Sequence, residues 1–248
     1  MPQIYSFNTV ELVAGDVTAE GAQPAVYAER SIMFGGETFI IRGGNSTDAY
    51  KTASYGIRCR SVMISLAKNM QVYGGNGAKG IDGANGANGA YAQQQNGGNG
   101  GYGGYGGHGV VAIYANRLAI MTKISIVTCY GGNGGDGGNG GNGGKGSDGK
   151  DGSVGVYTVD PGNGGNGGKG GTGGNGSIAT WFRDEPVIHF PDSSNIYYIP
   201  GTAGAAGLGG KAGSAGAPSK TIWGNYRYGS AGTVGVAGEQ GVAGENGY

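Results

Sequence analysis

Apolar and polar positions follow two different rules along this chain. In residues 1–73 the runs IYSFNTVELV, AVYAERSIMF, ETFIIR and IRCRSVMISLA mix β-branched and aromatic residues with short polar interruptions, a pattern that predicts strands rather than helices. Further apolar runs at 110–130, 177–190 and 196–199 extend the same hydrophobic core. Between these runs the period is three. In a first tract, Gly74, Gly77, Gly80, Gly83, Gly86 and Gly89 hold one register. Ala78, Ile81, Ala84 and Ala87 hold a second, and Asn76, Lys79, Asp82, Asn85 and Asn88 a third. Tract three keeps glycine in phase from Gly131 to Gly155, with Asn133, Asp136, Asn139, Asn142, Lys145, Asp148 and Asp151 on its polar face. Tract four (162–176) repeats that scheme, and tracts five (201–216) and six (229–247) place Ala203, Ala206, Ala212, Ala231 and Ala237 on their second face.

Three residues per turn is the period of the polyproline-II helix, so each register becomes one face of a rod. Such a rod has no internal hydrogen bonds, and a lone glycine chain stays disordered because ordering glycine costs the most backbone entropy. Rods packed side by side on bare faces instead exchange N–H···O=C bonds with one another. The fold class expected is therefore a β-rich N-terminal attachment region (1–73, joined by the runs at 110–130 and 177–199) plus a polyglycine-II helix bundle over 74–248, with little or no α-helix. Glycine is 62 of 248 residues, too many to leave an ordinary core throughout, while 7 prolines are too few for collagen.

If each tract crosses the bundle once, loops 90–96, 153–161 and 217–228 gather at one end and the apolar runs at the other. Tyr, Trp, Asn and Arg dominate recognition loops because they offer rigid, amphipathic contact area. The candidate binding residues are accordingly Tyr91, Gln93, Gln94, Gln95, Tyr157, Lys220, Trp223, Asn225, Tyr226, Arg227 and Tyr228. Tyr102, Tyr105 and His108 form one register of tract two and are expected to pack on a neighbour or face solvent. The acidic residues Asp136, Asp148 and Asp151 are expected to serve solvation alone.

Lys+Arg and Asp+Glu balance at 16 each, which removes the electrostatic footprint of a nucleic-acid binder. No apolar run approaches the ~20 residues of a membrane span, so no membrane insertion is expected. Met1 to Val10 lacks the basic and apolar regions of a secretory signal, so synthesis in a reducing cytosol is expected. Cys59 and Cys129 then read as two buried thiols rather than a disulfide. GxGxxG patterns recur merely because glycine is abundant, and no P-loop is present. His108 and His189 are the only histidines, and no His/Cys cluster has metal-ligand spacing. Neither enzyme activity nor any cofactor or metal is expected.

The start MPQIYSFNTVELVAG, the alternation of glycine-rich tracts with variable segments, and the tracts GGNGGDGGNGGNGGKG and PGNGGNGGKGGTGGNG together carry a resemblance over the whole chain. It resembles the receptor-binding adhesin at the distal tip of the long tail fibre of T-even-like bacteriophages. The resemblance implies a virion protein, made in the host cytoplasm, whose N-terminal region caps a trimeric fibre subunit. It also implies that variable loops meet a bacterial outer-membrane protein, alone or with lipopolysaccharide, and so set host range. Two alternatives belong to other classes. A glycine-rich ice-binding protein wants a flat Thr- or Ala-bearing face, and a structural matrix protein does not need three Tyr/Trp/Gln loops at one end.

Overall fold

The computed structural model describes residues 3–14, 23–48, 52–91, 94–122, 125–154, 157–189, 191, 194–221 and 223–228; tract six and Gln93 lie outside them. Among the described residues there is no α-helix, and the regular elements are all strands: β1 (Gln3–Val13), β2 (Val26–Ala28), β3 (Ile32–Arg42), β4 (Ile57–Tyr73), β5 (Ile113–Ile120), β6 (Ser125–Tyr130), β7 (Thr180–Phe182), β8 (Val187–Ile188), β9 (Ser194–Ile199), β10 (Ser219–Lys220) and β11 (Tyr226–Arg227). The first nine form one sheet in which every pairing is parallel.

The long strand β4 explains the architecture. Its first half pairs with β5 (Ile57 with Ile113) and its second half with β6 (Tyr73 with Tyr130). A Cβ on Gly56, just before the strand, would lie 2.8 Å from Tyr73 O at its far end. The strand therefore doubles back as an arch. Its burial alternates, then slips where the arch turns: Met63, Ser65 and Ala67 are buried, and the next buried residues are Met70 and Val72. β2 with β3 on one side, and β5 with β6 on the other, stack on β4 as further arches; β7 and β8 then pair with β5, and β9 with β6. Phe34, Phe39, Ile41, Ile57, Met63, Met70, Ile113, Leu118, Ile120 and Val127 fill the space between the two arms. Each such side chain contributes about 1.5–3 kcal/mol of burial, so this end has an ordinary hydrophobic core. Cys59 and Cys129 are both buried in it as free thiols.

The glycine-rich tracts grow out of the arches. β4 runs on into tract one, β6 into tract three and β9 into tract five, while tract two leads into β5 and tract four towards β7. The ladder continues across the seam without a gap: Gly74 N donates to Tyr130 O at 2.8 Å and Gly131 N to Ile199 O at 2.8 Å. Beyond the seam the bonds recur every third residue. Gly77, Gly80, Gly83, Gly86 and Gly89 donate to the carbonyls of Asn133, Asp136, Asn139, Asn142 and Lys145. Tract three donates in the same way to tract five, and tract two to tract four. These bonds make one layer of tracts one, three and five and a second of tracts two and four. Antiparallel bonds such as Gly138 N to Gly104 O and Gly171 N to Gly138 O join the layers.

The polar register does more than the sequence led us to expect. Asp82 Oδ1 accepts the backbone N–H of Asn139 at 2.7 Å, while Gly83 N donates to the carbonyl of that same Asn139. This Asx–Gly step thus clips both backbone groups of one residue on the next tract. Asn76, Asn85 and Asn88 do the same on tract three. Asn133, Asp136, Asn139, Asn142, Asp148 and Asp151 do so on tract five and the segment that follows it. Asp136, Asp148 and Asp151 are therefore not there for solvation alone: a short side-chain acceptor is the nearest group able to satisfy an N–H that leaves the rod sideways. Accepting those N–H groups, with Lys79 and Lys145 alongside, holds the Asp82 and Asp148 carboxyls below the ordinary value of 3.8.

Candidate functional site

The chain order of the tracts decides what meets at the end remote from the sheet. Tract one runs outward from β4 and pairs antiparallel with tract two, and the same holds for tracts three with four and four with five. Loops 90–96, 153–161 and 217–228 accordingly share the far end. Ser147 ties loop 90–96 to the start of tract four. Its N–H donates to Gln95 O at 2.9 Å, its Oγ accepts from Gln95 N at 2.9 Å, and its carbonyl accepts from Gly162 N at 2.8 Å. Ser147 interrupts the register Gly132, Gly135, Gly138, Gly141 and Gly144 with a hydroxyl, which is the one sequence signal that marks it.

Of the sequence-predicted residues, Gln94, Arg227 and Tyr228 line a shared recess of about 520 Å³ together with Asn96, Asp160, Pro161 and Asn163. The Arg227 guanidinium pairs with Asp160 at 2.9 Å and so ties loop 217–228 to loop 153–161. Gln94 takes a φ of +48°, a left-handed conformation uncommon for a residue with a Cβ, at the turn of loop 90–96. Loop 217–228 is not irregular throughout. β10 and β11 pair antiparallel, Ser219 opposite Arg227 and Lys220 opposite Tyr226. Thr221 closes the turn by accepting Asn225 N on its hydroxyl and donating its own N–H to Asn225 O. The hairpin leaves Trp223, Tyr226 and Tyr228 exposed, with Tyr226 and Tyr228 rings 6.2 Å apart and Lys220 Nζ 5.8 Å from the Tyr226 ring.

Tyr157 and Tyr91 are likewise exposed, at 91% and 69%, too open for rings that seal a rod end. Gln95 and Asn225 also hold their own loops together. Gln95 Oε1 accepts Ala90 N and its backbone is held by Ser147, so this residue closes its own loop. Asn225 closes the hairpin turn through its backbone. Lys220 also anchors the hairpin, its N–H donating to Asp151 Oδ1 and its carbonyl accepting Gly152 N. Asn96 and Asp160, within the predicted loops, join the recess lining, and Ser147 lies just outside the loops. Among the described residues, no group of three or more His, Cys, Asp or Glu side chains is placed to hold a metal ion. What the tip offers is exposed rings, paired charges and amides.

No family model matches the sequence, and no curated protein matches it. Among solved structures, a springtail antifreeze protein from Granisotoma rainieri, described as a nine polyproline type II helical bundle whose crystal waters match the ice lattice, is 27% identical over 66% of this chain and 93% of its own. Its TM-score of 0.13 means that the two backbones do not superpose.

Proposed function

We propose that this chain is a cell-attachment adhesin: a polyglycine-II bundle mounted on a β-arch base, presenting its tip loops to a bacterial outer-membrane protein. The observation that carries the reading is the convergence of three loops, far from the hydrophobic core, on a recess lined by Gln94, Asp160, Arg227 and Tyr228, in loops that also expose Trp223, Tyr226 and Tyr157. Rings held on a rigid scaffold lose little entropy on contact, which is why such residues act as anchors. The inter-tract bonds at every third residue support the polyglycine-II assignment, because they match its threefold period. In this reading the base is the attachment region for a trimeric tail-fibre subunit, as the resemblance to T-even-like tip adhesins implies. The protein then sits at the distal tip of a virion and acts by binding alone, without catalysis.

The test is adsorption of purified, labelled protein to a panel of Gram-negative cells. Wild type is compared with a variant whose loops 153–161 and 217–228 are replaced by Gly/Ser, with circular dichroism on both. Binding lost in a folded variant supports the tip. Alanine at Trp223, Tyr226 or Tyr157 is expected to weaken attachment by about 2 kcal/mol each, roughly 30-fold, at unchanged melting temperature. Adsorption undiminished by loop replacement overturns the proposal.

A further inference from the structure

The clip ladder of the second layer is broken at two adjacent rungs. Asn96, Asn99 and His108 of tract two accept the backbone N–H groups of Asn163, Asn166 and Asn175, each at 2.9 Å. Between them the same register holds Tyr102 and Tyr105. Tyrosine at this position reaches past the neighbouring backbone, so the N–H groups of Lys169 and Thr172 have no protein acceptor among the described residues. Both rings stand in the open, Tyr102 at 80% and Tyr105 at 73% exposure. They flank a groove of about 240 Å³ whose other walls are Lys169, Thr172 and bare glycine backbone. Lys169 takes part in no ion pair among the described residues. One face therefore carries two exposed rings, two backbone donors without a protein acceptor among the described residues, and a cation.

We propose that this face is a binding subsite for an acidic oligosaccharide. In a polyglycine-II rod the two rings stand about 9 Å apart, three residues at ~3.1 Å each. That is about two sugar units of an extended glycan, so alternate pyranose rings lay their C–H faces on Tyr102 and Tyr105. The Lys169 and Thr172 N–H groups donate to hydroxyl or ring oxygens between them. The Lys169 ammonium meets a carboxylate or phosphate on the chain. The floor is glycine backbone, so the groove lacks the apolar depth that would bury a peptide side chain. The site is separate from the tip: the loop replacements above leave all four residues in place, so the two proposals fail independently.

The experiment presents the full chain to an array of uronate-bearing, sialylated and phosphorylated oligosaccharides, each beside its neutral counterpart. The tightest binder is then titrated by calorimetry. The decisive variant is Tyr102→Asn with Tyr105→Asn, which restores the clip at both rungs. It is expected to melt at or above the wild-type temperature and to bind about tenfold or more weakly, as loss of two stacking rings requires. Lys169→Gln is expected to erase the preference for acidic over neutral sugars while keeping the stacking. A wild type that retains no acidic oligosaccharide at millimolar concentration overturns the proposal, as does a double-Asn variant that binds as tightly as wild type.

Discussion

Placing one methyl group between tracts one and three tests what holds the rods together. A Cβ on Gly138 would lie 2.6 Å from the carbonyl carbon of Ile81 and 2.9 Å from Gly80 O, with Ile81 O closer still. Carbon atoms rest at about 3.5 Å or more, so the tracts must part by about 1 Å at this rung. The bonds Gly80 N to Asp136 O (2.8 Å), Gly83 N to Asn139 O (2.7 Å) and Asn139 N to Asp82 Oδ1 (2.7 Å) then stretch beyond useful range. At about 1 kcal/mol net each, Gly138→Ala loses about 3 kcal/mol. The stiffer unfolded chain returns up to about 1 kcal/mol, leaving a net loss of about 2–3 kcal/mol. Gly209→Ala is the matched control, because Ala203, Ala206 and Ala212 of its register already carry a Cβ. It should be neutral or slightly stabilising. Thermal unfolding followed by circular dichroism reads the difference, about 5–10 °C for a chain of this size. If Gly138→Ala melts within a degree or two of Gly209→Ala, close backbone approach does not stabilise the bundle.

Two further predictions concern titrating groups. Because Asp82 and Asp148 have carboxyls below the ordinary value, their clips contribute fully above about pH 4 and are lost as pH falls through the folded-state values. Asp82→Asn with Asp148→Asn keeps both acceptor oxygens but removes the titration, so its melting temperature should fall less steeply on acidification than that of wild type; parallel acid limbs would refute the assignment. Burial pushes both cysteine thiols up, and Cys59 Sγ–H also donates to Arg30 O at 2.9 Å. A neutral thiol reagent should therefore label neither cysteine in the native protein and both on unfolding, and rapid labelling at pH 7 would contradict the packed arches.

Period three was legible because it depends on local order alone. Glycine at every third position from Gly131 onward leaves few conformations that avoid disorder, and the absence of helix in the described tracts follows from it. The partners of the polar register were not legible, since Asp82 meets Asn139 only once tracts one and three are known to share a layer. The arches were hidden for a related reason. The run IRCRSVMISLA reads as one strand, and the slip between Ala67 and Met70 has meaning only when the two arms close on a common core. At the tip, composition picked out the exposed rings of Tyr157, Trp223, Tyr226 and Tyr228. It could not tell Gln94, which lines the recess, from Gln95, which locks the loop to Ser147.

The Asx–Gly clip also bears on chemical ageing. Asn–Gly is the dipeptide that deamidates most readily, because an unhindered glycine nitrogen attacks the preceding side-chain amide carbon. At Asn85–Gly86 both reactants are held: Oδ1 accepts from Asn142 N at 2.9 Å, and the Gly86 N–H is donated to Asn142 O at 2.8 Å. The ring-closing rotation requires both bonds to break at once, which means parting the tracts. Conversion to a plain aspartate would be harmless, since Asp82 and Asp136 already serve as clips. An isoaspartate would not be, because it adds a backbone carbon and throws every later residue out of phase. Accumulated isoaspartate at the clipped Asn–Gly steps of tracts one and three is therefore a record of time spent unfolded, since those sites stay protected while the rods stay together.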